Sequence, residues 1–183
     1  MNESPFILFG YQHLIILVLS ACFIILFPLC AKNNFNIKRR EQISNWIAYF
    51  LIIHEASKPF YRTYFFGDLF FTVLPLHLCN LSAFSIATYL LTRRKVFFEI
   101  AYFWGLSGGT MALITPELDL AFPDIEWFPY FIGHSMTLMG VFYSIFCHNI
   151  HPSRESLKKV ILISCGSLAI IFIINTLLGP PAN

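Results

Sequence analysis

Long apolar runs alternate with short polar interruptions along this chain, and six of the runs are long enough to cross a bilayer. They lie at approximately residues 13–31, 43–59, 74–92, 96–114, 128–147 and 160–178. A hydrocarbon core of ~30 Å calls for roughly 20 residues of helix, each rising 1.5 Å. A transmembrane β-strand would instead alternate apolar and polar over about 10 residues. Runs such as Ile161 to Leu178 are apolar on every face. The pattern predicts an all-α membrane protein, a six-transmembrane-helix bundle with residues 1–183 as one domain.

Composition agrees and narrows the class. Only 12% of the 183 residues are charged, about half the usual share in soluble domains. The first basic residue is Lys32, so the positive leading region of a cleavable signal is not expected and the first span should be retained. An even number of spans places both termini on one side.

The basic residues select that side. Lys32, Lys38, Arg39 and Arg40 lie between spans 1 and 2, Arg93, Arg94 and Lys95 between spans 3 and 4, and Arg154, Lys158 and Lys159 between spans 5 and 6. The opposite face has only Lys58 and Arg62. Cytoplasmic loops carry the excess of Lys and Arg, so both termini are expected to be extracytoplasmic, in a plasma or inner membrane. The net charge of +2 follows from this arrangement and gives no case for nucleic-acid binding.

Two segments refine the picture. Residues 60–73 crowd Tyr61, Tyr64, Phe65, Phe66, Phe70 and Phe71 around Gly67 and Asp68. They are too few to span, and an interfacial segment at headgroup depth is expected, with Trp127 and Tyr130 as anchors at the same boundary. Gly105 and Gly109 form a Gly-x-x-x-Gly that lets a neighbouring helix approach, with packing inside the bundle favoured over dimerisation.

Ionisable residues inside spans are costly and are functional hypotheses by default. Residues 74–80 read Leu-Pro-Leu-His-Leu-Cys-Asn, a span opened by proline with a histidine and a cysteine close behind. Cys79 then lies ~6 Å below Pro75, and His134 ~7.5 Å below Pro129. His54, Glu55 and Lys58 occupy the last turns of span 2, and Gln12 and His13 the mouth of span 1. Ionisable groups from four helices are expected to meet at one level in the outer leaflet. The other cysteines (Cys22, Cys30, Cys147 and Cys165) read as small apolar residues, and no Cys-x-x-Cys suggests a disulfide or metal framework.

Thiol and imidazole are parts of covalent acyl transfer. Cys79 would be the nucleophile and His134 its base, with Glu55 or His54 orienting the imidazole and Asn80 or a backbone amide holding the oxyanion. At ~100° per residue, His77 and Cys79 would point to nearly opposite sides of a helix begun at Pro75. His77 is therefore expected in a supporting role with His13, His54, Glu55, Lys58 and Asn80. No cofactor is expected, and the partners would be a phospholipid acyl donor and a lipid acceptor.

Bland readings stand beside this one. A cysteine in a span is more often packing than chemistry, and Glu55 with Lys58, like Glu99 with Lys95, could be a neutralised pair. A proton-coupled transporter would place its polar groups at the midplane rather than in one leaflet. A metal site from these side chains lacks the His spacing of helical zinc motifs. A non-catalytic structural membrane protein would leave only the aligned polar groups unexplained.

LPLHLCN in span 3, FIGHS in span 5, the Gln12-His13 opening and six spans together resemble the YwaF-like integral membrane family, whose eukaryotic branch is the transmembrane protein 164 group. The resemblance implies a phospholipid acyltransferase or transacylase, with the family's cysteine and histidine falling on Cys79 and His134.

Overall fold

The computed structural model describes residues 4–179. Among them are six helices: α1 (Tyr11–Asn34), α2 (Ile37–Phe66), α3 (Leu78–Thr92), α4 (Lys95–Ile114), α5 (Trp127–His148) and α6 (Arg154–Leu178). The protein is all-α. Four of these helices (α1, α4, α5 and α6) are long and apolar enough to cross a membrane. Helix α5 is the hub. It packs on α1, α2 and α3, and buries Phe131, Leu138, Met139, Val141 and Tyr143.

Lipid tails are as apolar as leucine, so close fit rather than water exclusion holds membrane helices together. One helix, α6, is peripheral. Only 6% of the apolar window of α6 is buried, and its large side chains face outward. A small apolar contact of Val160 and Ile163 with Ile100 and Trp104 joins it to α4, and polar ties add to this: Trp104 Nε1 donates to Ser164 Oγ at 2.7 Å, Ser156 Oγ to Glu99 Oε1 at 2.7 Å, and Lys159 Nζ to Glu99 Oε2 at 2.9 Å. Lys95, the partner expected for Glu99, is farther, at 3.9 Å.

Helices α2 and α3 depart from the expected spans. Instead of ending near Pro59, α2 continues to Phe66, 30 residues in all, or ~45 Å. It stops at Gly67, whose φ of 74° is a left-handed conformation open to glycine. Much of the expected interfacial segment is thus the last turns of α2, followed by a 3-10 turn at Phe70–Val73. Phe60 lies edge-on to Phe70, with ring centroids 5.4 Å apart.

In turn, α3 begins at Leu78 rather than at the proline, with His77 as an extended N-cap (φ −70°, ψ 149°). Its 15 residues cover only ~22 Å. Residues 74–77 are non-helical, a state tolerated at membrane depth where backbone lines a cavity. Trp127 also differs from expectation: it is buried against Phe122 and Phe131 rather than set out as a boundary anchor.

Within α4, Gly105–Gly109 form a π-helical turn. A Cβ on Gly105 would stand 3.0 Å from Ser82 Oγ of α3, and one on Gly109 3.4 Å from Leu138 of α5. The Gly-x-x-x-Gly serves close packing inside the bundle. π-Turns recur at functional sites, and this one faces the start of α3.

Candidate functional site

At the end of the bundle where α2 finishes and α3 and α5 begin, the helices leave a cavity of about 580 Å³, within the usual range for small-molecule sites. Lys58, Tyr61 and Arg62 of α2 form one wall, and His77, Cys79 and Asn80 another. Gly108, Met111 and Ala112 of α4 face Pro129, Tyr130 and His134 of α5. Glu117 and Leu118 of the following loop complete the rim.

Cys79 is the second residue of α3, in the turn whose amide N–H groups lack helical partners and carry the positive end of the helix dipole. Gly108 in the π-turn makes room for its sulfur, since a Cβ there would stand 3.0 Å from Cys79 Sγ. The extended His77 explains why both His77 and Cys79 line the cavity. Their opposed directions hold only in a continuous helix, and the helix starts between them.

His134 lies about two turns inside α5. The ring of Tyr130 packs against it with centroids 4.7 Å apart. Tyr130 is itself fixed: its hydroxyl donates to the Ala112 carbonyl at 3.1 Å and lies 3.4 Å from the Glu117 amide. Among the described residues no hydrogen bond engages the His134 ring, so its nitrogens are available to whatever enters the cavity.

The supporting polar residues converge on Glu55, which is 2% exposed. Lys58 Nζ donates to both carboxylate oxygens, at 2.8 and 2.9 Å, and Asn80 Nδ2 donates to Oε2 at 2.6 Å. Nδ1 of His54 lies 3.2 Å from Oε1, while its Nε2–H donates to the Pro129 carbonyl at 3.1 Å. Neither Glu55 nor His54 bonds the His134 ring, and one amide proton of Asn80 is committed to Glu55.

His13 stands apart. It is 1% exposed, its Nδ1 accepts from the Phe9 amide at 3.0 Å, and its Nε2–H donates to the Leu113 carbonyl at 2.8 Å. Both ring nitrogens are used, and the ring packs against Phe6, Phe9 and Phe131. It does not line the cavity. It fastens the chain ahead of α1 to the end of α4, beside a short pairing of Pro5 with Leu120.

Three contributors were not legible in the sequence. Arg62 at the cavity rim pairs with both Asp68 and Glu126. Gly108 and Gly133 matter only through what they let approach. At the opposite end of the bundle, Arg93 reaches Ser44 Oγ at 3.0 Å and His148 Nδ1 at 3.4 Å, and it pairs with Glu41. This second polar cluster ties α2, α3 and α5 together. Among the described residues no group of three or more His, Cys, Asp or Glu side chains is placed to hold a metal ion.

Fold and site together define a multi-pass helical membrane protein with a thiol, two imidazoles and a buried carboxylate network at one end. The chain belongs to the TMEM164 family, which it matches over residues 8–183. An uncharacterized protein of Treponema pallidum (strain Nichols) is 29% identical over 89 residues, covering 49% of this chain and 37% of that protein. The match thus spans little more than a third of the length of that relative. No solved structure matches the chain.

Proposed function

We propose that the protein is a membrane-embedded phospholipid transacylase that uses Cys79 as nucleophile and His134 as general acid and base. The observation that carries this is the shared cavity: a thiol at a helix start and an imidazole without a hydrogen-bond partner among the described residues open onto one space. Orientation completes the proposal, with the basic end of the bundle cytoplasmic and the cavity in the outer leaflet of a plasma or inner membrane.

In the first half-reaction His134 takes the thiol proton, and the sulfur attacks the ester carbonyl of a donor phospholipid. The carbon–oxygen bond to glycerol breaks, His134 returns the proton to the leaving oxygen, and a lysolipid departs from an acyl-thioester on Cys79. In the second, the hydroxyl of an acceptor lipid gives its proton to His134 and attacks the thioester. The carbon–sulfur bond breaks and the thiol regains its proton. Amide N–H groups in the first turn of α3, which have no partner within the helix, supply donors for the oxyanion.

The experiment is acyl exchange in liposomes with a labelled donor phospholipid. Cys79→Ala and His134→Ala are each expected to abolish exchange, and the wild type to carry a hydroxylamine-labile acyl group that Cys79→Ala lacks. Wild-type rates in both variants would overturn the covalent mechanism.

A further inference from the structure

Glu55 hydrogen-bonds neither Cys79 nor His134, yet it is bonded to the immediate surroundings of both. Its Oε2 accepts from Asn80, the residue after Cys79. Its Oε1 faces His54, whose other ring nitrogen donates to the carbonyl of Pro129 in the first turn of α5. The same ring rests on Gly133, the residue before His134, where a Cβ would fall 2.4 Å from His54 Cε1. No side chain fits between the ring and the helix, so this glycine is what lets His54 reach the carbonyl.

Building on the Cys79–His134 activity, we infer that Glu55 and His54 are positioning residues: one clamp on α2 that sets the start of α3 and the start of α5 relative to each other. Residues 74–77 are unwound, so α3 has no preceding helical turn to hold its first residues. The Asn80–Glu55 bond supplies that restraint. Lys58 balances the charge of the carboxylate, which permits an ionised acceptor at a buried position. The arrangement also separates two histidines by task, His54 spent on structure and His134 left open to the cavity.

The test uses the full chain in liposomes and two readouts, acyl exchange and the alkylation rate of Cys79 by a small membrane-permeant thiol reagent. Glu55→Ala, Gly133→Ala and His54→Phe are compared with wild type, the last keeping a ring of similar size without donors. Each is expected to lower exchange by about tenfold or more, through kcat rather than the KM for donor lipid, because small misplacements of reacting groups carry penalties of that order. Cys79 alkylation, measured on the folded fraction, should shift in parallel. Glu55→Gln, which still accepts from Asn80, should recover part of the loss.

Exchange within twofold of wild type in folded His54→Phe and Glu55→Ala would overturn the clamp. If the wild type shows no exchange, the transacylase proposal fails, and alkylation still decides the clamp. A rate unchanged by Glu55→Ala and His54→Phe rejects it, and a severalfold change sustains it.

Discussion

Tyr130 and His134 lie one turn apart on α5 with ring centroids 4.7 Å apart, and the Tyr130 hydroxyl reaches across to the Ala112 carbonyl of α4. The ring bears on the proposed base while the hydroxyl joins the two helices that form one side of the cavity. These tasks separate by mutation. Tyr130→Phe removes the bond to the Ala112 carbonyl and the long one from the Glu117 amide, and should cost about 0.5–1.5 kcal/mol of stability with the His134 ring still supported. Tyr130→Ala removes the support as well and should depress exchange much further. Thermal unfolding in detergent beside exchange rates checks the order; equal exchange rates in the two variants would contradict it.

Gly108 and Gly109 are neighbours with different surroundings. A Cβ at Gly108 meets the Cys79 sulfur at 3.0 Å, whereas one at Gly109 meets Leu138 at the ordinary distance of 3.4 Å. Gly108→Ala is expected to change Cys79 alkylation and exchange severalfold, and Gly109→Ala to leave both near wild type. The same response in both would show that the π-turn as a whole, not the room beside the sulfur, is what matters.

His13 should behave as a stabilising residue. Replacing it with alanine leaves the Leu113 carbonyl and the Phe9 amide without their partner and empties a packed site. A loss of about 2–4 kcal/mol is expected from the combined polar and packing terms. In the fraction that remains folded, the Cys79 alkylation rate should match wild type. A large rate change at full stability would return His13 to the reactive group.

Glu99 anchors the sparsely packed α6. Glu99→Ala strips Ser156 and Lys159 of their shared acceptor, and a loss of about 1–3 kcal/mol follows for bonds to a charged group, with Lys159 half exposed. Protease cleavage between α5 and α6 should become faster. Unchanged cleavage would mean that the Trp104–Ser164 bond and the Val160 contact hold α6 without Glu99.

Orientation can be read with impermeant thiol labelling in a background freed of native cysteines. Asp119→Cys, in the loop beside the cavity, should label on intact cells, and Lys158→Cys, at the basic end, only after permeabilisation. The reverse pattern would invert the proposed membrane topology.

The sequence by itself determined the helical class, the family, and the gathering of ionisable residues near one end of the bundle. The class and the gathering follow from hydropathy and helical rise, which can be counted along one dimension, and the family from short motifs such as LPLHLCN and FIGHS. Only the tertiary structure decided the partners. Hydropathy cannot show that α3 starts at Leu78 and leaves Leu74–His77 unwound, and that local change brings His77 and Cys79 to the same cavity. Nor could depth alone separate His13, with both nitrogens engaged, from His134, which has no hydrogen-bond partner among the described residues. The roles of Gly108 and Gly133 were invisible for a related reason. A glycine's part in a site is the atom that approaches it, and that atom belongs to another helix. In a bundle held by close fit and buried hydrogen bonds, membrane depth places a residue, and the neighbouring helix assigns its task.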